Sequence, residues 1–325
     1  MLSNPLLTSS ARRDFVAKVI LWLLVVVASP WGYADPSRQP TVQTLNHAQG
    51  ETRITGTPVR VVTLFQGATD TAVALGITPA GVVNAWAQGA NYDYLDDALE
   101  GVPHVGLETQ PSLEAIVLLE PDLIIASRRR HEKIYNQLSQ IAPTISLETV
   151  FDVQQTLDVM GQALNRVARA DELWTAWERR LANFRQQAAA SLGDRWPMSA
   201  TVLNVRADHV RLYLDGSYAG TVLHNLGFTR PPPHPENQWV LKLTTKESIP
   251  IIDADVVFYF MEDDQAVHNS FDAWTSHPLW QNLTAVQNAR VYPVDRVDWS
   301  LAGGFLGANR MLDQLFRHFG LEEES

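Results

Sequence analysis

The amino-acid sequence predicts an α/β protein of two Rossmann-like lobes, with mainly parallel sheets, joined by a single long α-helix. Three observations support this fold class. Motifs of the first half recur in the same order in the second half, the expected strands are continuous apolar runs, and a long amphipathic segment separates the halves. Continuous apolar strands between helices are typical of parallel sheets that are covered on both faces.

The bulk composition fits this architecture and excludes several kinds of function. A chain of 325 residues suits two domains of ordinary size, and 46% hydrophobic with 19% charged residues is typical of a globular protein. The sequence contains no cysteine, which excludes disulfides, thiolate catalysis and metal sites held by cysteine. A net charge of −11 repels nucleic acid, so we expect no nucleic-acid partner.

Residues 1–34 predict an export signal. Basic residues precede an apolar run at 19–28, and Ala34 ends a short stretch suited to cleavage. The run is about half of the roughly 20 apolar residues that a membrane-spanning helix needs. We therefore expect cleavage after about Ala34 and a periplasmic location, with a retained membrane anchor as the alternative. The pair Arg12-Arg13 also resembles a twin-arginine signal, which leaves the export route open.

The N-terminal lobe is expected to span residues 35–166. A hairpin at 41–55 is followed by a short apolar strand at 60–64. A helix is then predicted from about Asp70 to the Leu-Gly pair at 75–76, because glycine is the preferred residue directly after a helix.

The motifs of this lobe recur in the C-terminal lobe, which we place at residues 194–325. An apolar strand at 200–205 leads to a helix that ends, like the earlier one, at a Leu-Gly pair. In the first half, Glu114 begins a short predicted helix, an aspartate follows eight residues later, and an apolar strand comes next. In the second half, Glu247 begins the same succession of helix, aspartate and strand. Two matches in one order favour a duplicated lobe.

A long helical stretch connects the lobes. Asp152 is predicted to cap a helix that ends near Arg166. The linking helix is predicted at 167–193, where apolar residues recur at steps of three and four. About 24 helical residues span roughly 36 Å, which is long enough to bridge two lobes. An ordinary surface helix is the alternative, and the duplication on either side favours the bridge.

The ligand site is expected where ligands of open α/β sheets bind, beyond the carboxyl ends of the strands. The candidates that directly follow predicted strands are Gln66, Arg128, Arg129, Arg130, Arg206 and Trp299. Arginine suits carboxylates because its planar guanidinium donates paired charge-assisted hydrogen bonds. Arginines gathered at one sheet edge of an acidic chain therefore predict an anion site. Three consecutive arginines cannot all enter one pocket, so one or two contacts are expected; alternatively, they form a solvated helix face.

Three aromatic residues are further candidates. Trp86 and Trp239 either wall the cleft or pack elsewhere, and Tyr218, at a helix start, either hydrogen-bonds a ligand or caps its own loop. The sequence shows no catalytic constellation, since the serine within 216–220 is off-register for a nucleophile elbow and the nine histidines are scattered. We therefore expect neither an enzyme nor a metal held by protein side chains.

One part of the chain carries a family resemblance. Residues 105–126, with Arg130-His131 and Gln140-Ile-Ala-Pro143, resemble the ferric-siderophore-binding proteins of ABC importers, and most of all their ferric-citrate-binding branch. The resemblance extends over nearly all of the chain after the export signal, although these motifs are typical of the superfamily rather than of one ligand. It implies a monomeric periplasmic protein that takes part in iron import.

The resemblance also implies a ligand and a partner. The ligand is an anionic ferric chelate held between the lobes, ferric citrate or a citrate-type siderophore, with catecholate complexes left open. The chelator then holds the iron, so no cofactor is expected. Family members dock on an inner-membrane permease dimer through one acidic residue per lobe, and these positions match Glu114 and Glu247. From the residues alone, the helix dipole explains a glutamate at a helix start equally well.

Two other functions remain as alternatives. A cobalamin- or haem-binding transport protein has the same fold, but it needs a larger and more apolar cleft and does not need the arginines. A periplasmic enzyme that processes a siderophore needs a nucleophile or a paired acid and base at the strand ends.

Overall fold

The computed structural model describes residues 41–231 and 238–322. The predicted export signal at 1–34 lies outside these ranges. Within them, no helix combines the length and the apolar character needed to cross a bilayer.

The strands of the N-terminal lobe form a hairpin and a larger sheet. They are β1 (Val42–His47), β2 (Gly50–Thr55), β3 (Val61–Thr63), β4 (Gly81–Asn84), β5 (His104–Leu107), β6 (Gln110–Pro111), β7 (Leu123–Ser127) and β8 (Thr144–Leu147). β1 and β2 pair antiparallel, and the others are ordered β6-β5-β4-β3-β7-β8, all parallel except β6. Thr52 Oγ1 donates a hydrogen bond to the carbonyl oxygen of Thr144 at 2.7 Å, which fixes the hairpin to this sheet.

The helices of this lobe cover its sheet. The α-helices are α1 (Gln66–Ala74), α2 (Leu113–Leu118), α3 (Arg128–His131), α4 (Tyr135–Ile141) and α5 (Val153–Ala163), and short 3₁₀ helices are Asp93–Leu95, Asp97–Leu99 and Glu132–Ile134. The predicted start of α1 near Asp70 is wrong. The extended backbone of Phe65 lets its carbonyl oxygen accept from the N–H groups of Ala68 and Thr69, so the helix follows the strand almost directly. At α5, the Asp152 carboxylate caps the helix as predicted, accepting from Gln155 N at 2.9 Å.

The linking helix is α6 (Val167–Leu192), of 26 residues, and the prediction of a single long connecting helix is confirmed. Its first half packs on α5, where Gly161 leaves room for Ala170. Its second half carries Phe184, whose ring centroid lies 5.4 Å from that of Phe316 and 6.0 Å from that of Phe228. Since α6 buries apolar side chains against both lobes, one continuous hydrophobic core joins the two halves.

The C-terminal lobe is built on a mixed sheet. Its strands are β9 (Ala200–Val205), β10 (Val210–Tyr213), β11 (Val240–Leu243), β12 (Val256–Met261) and β13 (Val291–Pro293). Their order is β11-β10-β9-β12-β13; β12 pairs parallel with β9 and β13, while β10 pairs antiparallel with β9 and β11. β10 lies between β9 and the next helix, where no strand is predicted from the sequence, so the second lobe resembles the first without being an exact copy of it.

The helices of the C-terminal lobe complete the fold. The α-helices are α7 (Tyr218–Asn225), α8 (Gln265–Thr275), α9 (Pro278–Gln281), α10 (Thr284–Gln287) and α11 (Phe305–Phe319), with 3₁₀ helices at Gly193–Arg195 and Lys246–Ile252 and a π-helix at Val297–Leu301.

The last helix, α11, ties the lobes together a second time. Its first N–H groups, on Leu306 and Gly307, donate to the two carboxylate oxygens of Asp70 in α1, at 2.7 and 2.9 Å. A Cβ on Gly304 would overlap the Asp70 side chain, so only glycine permits this approach. Tyr94 also donates to Asp70, at 2.6 Å.

Candidate functional site

A cleft with a volume of about 300 Å³ opens between the carboxyl ends of the two sheets. Its walls come from the segments that follow β3, β4 and β7 in the first lobe and β9, β12 and β13 in the second. Its polar and aromatic lining includes Gln66, Trp86, Glu108, Arg130, Phe151, Asn204, Arg206, Arg211, Tyr213, Tyr218, Trp239, Glu262, Arg296, Trp299 and Ser300. The position of the cleft follows the strand-end rule for open α/β sheets.

The charge of the lining is opposite to the charge of the whole chain. Four arginines and two glutamates line the cleft, so positive charges are in excess there, whereas the chain has a net charge of −11. A cleft with one sign of charge and low-dielectric walls concentrates ligands of the opposite sign. The cleft is therefore suited to an anion.

Glu108 organises the first-lobe side of the cleft. Its Oε1 accepts from Nε of Arg130 at 2.8 Å, and its Oε2 accepts from Nε1 of Trp86 at 3.2 Å and from the backbone N–H of Gln66 at 3.1 Å. The side-chain amide of Gln66 donates from Nε2 to the carbonyl oxygen of Asn84 at 2.9 Å. Because Arg130 binds Glu108 only through Nε, its terminal amino groups have no acceptor within the described part of the chain. The Arg130 guanidinium is held in place and can still donate to a ligand.

His131 supports Glu108 from behind. The backbone N–H of Ser127 donates to its Nδ1 at 3.1 Å, so Nε2 must carry the proton that is shared with the carbonyl oxygen of Glu108, 2.8 Å away. Burial lowers the pKa of this imidazole, which agrees with a neutral ring. His131 therefore has a structural role, fixing the backbone of Glu108 against the end of β7.

Glu262 organises the second-lobe side in a comparable way. Its Oε1 accepts from Nη1 of Arg206 and from Nη2 of Arg296, each at 2.8 Å. One carboxylate oxygen thus holds two guanidinium groups next to each other, offsetting their mutual repulsion. Sequence reasoning identified Arg206 and missed Arg296, although Arg296 follows β13 and the strand-end rule could have found it.

Arg211 reaches the cleft from β10 and was also missed. Its Nε donates to Nε2 of His209 at 3.1 Å, and Nδ1 of His209 lies 2.6 Å from Oδ1 of Asp208. Nε2 accepts from Arg211, so the proton is on Nδ1 and is donated to Asp208. The chain Asp208–His209–Arg211 orients the guanidinium. No sequence signal pointed to it, because β10 was not predicted.

The three consecutive arginines of α3 separate in space. Arg130 lines the cleft. The guanidinium of Arg129 lies 5.1 Å from the ring centroids of both Phe151 and Trp239, within the range of cation–π attraction. Burial and the charge of Arg130 lower the pKa of Arg129. Arg128 lies outside the lining and pairs with Glu148 at 3.1 Å, with both side chains about half exposed.

The aromatic candidates occupy two different positions. Trp239 stands at the cleft surface, with its ring centroid 5.5 Å from that of Phe151 in the other lobe, and Trp86 is 42% exposed. Tyr218 and Trp299 also belong to the lining, but they are almost fully buried at its base. Tyr218 donates its hydroxyl proton to the carbonyl oxygen of Gly304 at 3.2 Å, and Trp299 donates from Nε1 to Oε1 of Gln314 at 3.1 Å. These two residues form the rigid floor of the cleft.

The two docking candidates lie on the surface, away from the cleft lining. Glu114 is exposed in the first turn of α2 and accepts from Oγ of Ser112 at 3.2 Å. Glu247 is exposed in the 3₁₀ helix Lys246–Ile252. Hydrogen bonds from its own backbone N–H and from the Thr245 side chain lower the pKa of Glu247, so it is ionised at neutral pH. The described ranges contain no cluster of His, Asp and Glu side chains that could hold a metal ion.

Known proteins are similar to this chain in both sequence and fold. The profile of the family described as periplasmic binding protein matches residues 61–297. The achromobactin-binding periplasmic protein of Dickeya dadantii is 52% identical over 266 residues, covering 81% of this chain and 87% of that protein. A probable siderophore-binding lipoprotein of Bacillus subtilis is 38% identical over 324 residues, covering 94% and 98%. The crystal structure of Staphylococcus aureus SirA complexed with staphyloferrin B has a TM-score of 0.82 at 40% identity, covering 87% of this chain and all of that one.

Proposed function

The chain belongs to the periplasmic binding protein family, and on that premise we propose that it binds an anionic ferric siderophore and delivers it to an ABC importer. The single observation that best supports an anionic ligand is the arginine-lined cleft in an otherwise acidic protein. The cargoes named for its relatives, achromobactin, staphyloferrin B and siderophores in general, support the same class.

The charges of the cleft specify what kind of chelate fits. Four arginines against two glutamates leave an excess that a ligand with about two negative charges would balance. Carboxylates suit these guanidinium groups because they accept paired, charge-assisted hydrogen bonds. Ferric citrate and citrate-type siderophores present such carboxylates at the surface of the iron complex. We therefore assign the ligand to this chemical class.

The iron is held by the chelator in this proposal. The charged side chains that line the cleft are mainly arginines, and cations neither donate electron pairs to Fe³⁺ nor attract it. The two carboxylates are already bound by arginines, Glu108 by Arg130 and Glu262 by Arg206 and Arg296. The protein then needs no cofactor of its own and recognises the outer surface of the complex.

Pre-organisation explains how the cleft would bind tightly. Glu108, Glu262 and His209 hold four arginines in place before a ligand arrives, so fewer side chains lose conformational freedom upon binding. Trp86 and Trp239 offer flat apolar surfaces for the carbon skeleton of the chelate. The floor formed by Tyr218 and Trp299 is rigid because its polar atoms already have partners.

Delivery requires export and docking. The predicted signal at 1–34 would send the chain to the periplasm as a monomer, and an inner-membrane permease dimer would receive it. Glu114 and Glu247, one in each lobe, are the proposed contacts with basic residues of the permease. Both lie outside the cleft lining, so ligand binding and docking can be altered independently.

A ligand panel tests the function. The purified chain without residues 1–34 is titrated with the ferric complexes of citrate, achromobactin and staphyloferrin B, and the quenching of tryptophan fluorescence is followed. A cationic ferric hydroxamate complex of similar size is the matched control for charge. At least one carboxylate complex should bind, and the cationic complex should bind at least about tenfold more weakly. Binding of haem or cobalamin, with no response to any ferric complex, would overturn the proposal.

A further inference from the structure

The two lobes display one five-residue motif on their surfaces: a glutamate, an isoleucine two residues later, and leucine or isoleucine two residues after that. In α2 it is Glu114-Ala-Ile-Val-Leu118, and in the 3₁₀ helix of the second lobe it is Glu247-Ser-Ile-Pro-Ile251. The pattern of burial is also the same: each glutamate is exposed, the isoleucine two residues later is fully buried, and the last two residues are exposed. The duplication therefore includes an exposed aliphatic side chain four residues after each glutamate.

The fold does not require these exposed aliphatic residues. Ile116 and Ile249, each 0% exposed, already anchor the two segments to the cores. Leu118 is 82% exposed and contributes little burial, and Ile251 leaves 45% of its surface in solvent. Apolar surface kept in water costs free energy, and contiguous exposed apolar residues commonly mark interaction sites.

We propose that Leu118 and Ile251 are apolar contacts of the docking surface, each buried against the permease beside its glutamate. The inference rests on the proposed function and adds a second kind of contact to it. Because the motif occurs once in each lobe, the surface that receives it should present the same socket twice. Each socket should combine a basic side chain with an apolar recess, as the two halves of a permease dimer can.

A charged contact and an apolar contact side by side reinforce each other because the apolar contact keeps water away from the ion pair. An ion pair between exposed side chains contributes little in water. An adjacent apolar contact excludes water from the ion pair, as the rim of near-neutral contacts does around interface hot spots. Charge then steers the encounter, and the apolar contact slows dissociation.

A second copy of the chain is a poor occupant for the same surface. In a two-fold symmetric contact each copy presents the same patch, so the glutamates of one copy would face those of the other. Like charges brought together disfavour such an association. The acidic motif instead calls for a cationic partner.

The test uses Leu118→Gln and Ile251→Gln, alone and together, in the full mature protein. Val167→Gln is the matched control, because Val167 is 48% exposed at the start of α6 and outside both motifs. Affinity for the importer's permease, reconstituted in nanodiscs, is measured by surface plasmon resonance with the binding protein loaded with the ferric complex that the ligand panel identifies. The double variant should bind the permease at least about tenfold more weakly, and Leu118→Ile with Ile251→Leu should restore the affinity.

Two further measurements separate the possible failures. Quenching by the same ferric complex should be unchanged in the double variant, and sedimentation should show a monomer for the wild type. Equal permease affinity of the double variant and Val167→Gln would overturn this inference and leave the proposed function standing. A wild-type dimer that the double variant abolishes would assign the surface to a second copy and also overturn it. Failure of the wild type to bind any ferric complex or the permease would instead count against the proposed function.

Discussion

The carboxylate of Glu108 lies 2.8 Å from Nε of Arg130 and leaves the terminal amino groups of that arginine available to the cleft. The contact joins the loop after β5 to the start of the helix after β7, so two separate segments define one guanidinium position. In the proposed anion site, an acidic residue thus holds in place the cation that would contact the ligand.

Arg130→Ala should weaken binding of a carboxylate siderophore by about 1.5–3 kcal/mol, because one charge-assisted contact is lost. Arg206→Ala should have a similar effect. Arg128→Ala is the matched control, since Arg128 pairs with Glu148 outside the lining, and it should change affinity by less than about 0.5 kcal/mol. Fluorescence titration gives the affinities, and thermal unfolding confirms that each variant folds. Equal losses in Arg128→Ala and Arg130→Ala would contradict the placement.

Arg211 and His209 should act together in ligand binding. Arg211→Ala should weaken affinity by about 1.5–3 kcal/mol, and His209→Leu by about 1 kcal/mol, because the guanidinium stays but loses the acceptor that orients it. His209→Gln should recover part of that loss, since an amide oxygen can accept from Arg211. Lys242→Ala, which removes an exposed partner of Asp208 at 3.6 Å, is the control. If His209→Gln and His209→Leu weaken binding equally, the hydrogen bond to Arg211 has no role.

The buried parts of the fold were the most predictable from sequence. The strand predicted at 200–205 is β9, Ala200–Val205, and the predicted linking helix at 167–193 is Val167–Leu192. A strand buried on both faces and a long amphipathic helix each leave a dense apolar pattern that local residues determine. The start of α1 was missed because it depends on the extended backbone of Phe65, which apolar spacing does not reveal.

The cleft was predictable only in part. The strand-end rule found Gln66, Arg130 and Arg206, which follow strands, and it also selected Arg128, which turns away to Glu148. Helix α3 has only four residues, and the direction of each arginine in it depends on partners that are distant in sequence, such as Glu148 for Arg128 and Glu108 for Arg130. Glu108 and Arg211 could not be found, since Glu108 binds cations contributed by other segments and Arg211 lies on a strand that the sequence did not predict.

Removing the two surface glutamates should separate delivery from ligand binding. Glu114→Gln combined with Glu247→Gln should leave affinity for the ferric complex unchanged, because neither residue lines the cleft, and should reduce permease-dependent iron uptake about tenfold or more. Glu172→Gln with Glu178→Gln removes the same two charges from α6 and is the control. Uptake of radioactive iron by cells that depend on this importer measures the effect. Weakened ligand binding in solution would contradict the docking role.

Asp70 should make stability depend on pH in the direction opposite to that of a carboxylate held in a salt bridge. Burial raises its pKa to about 6, from an ordinary value of 3.8, although Tyr94 and the N–H groups of Leu306 and Gly307 donate to it and lower the pKa in part. Between those two values the folded state holds a proton that the unfolded state has released. The stabilising contribution of Asp70 is therefore complete below pH 3.8 and is lost as the pH rises through about 6.

Asp70→Asn isolates this effect because asparagine does not titrate. The free energy of unfolding of the wild type, minus that of the variant, should fall by about 2–3 kcal/mol between pH 4 and pH 7, since each pKa unit corresponds to about 1.4 kcal/mol. Urea unfolding of both proteins at each pH gives the difference, in which groups common to both cancel. A constant difference across the range would show that Asp70 keeps an ordinary pKa, and a rising one would show that its three hydrogen bonds outweigh burial.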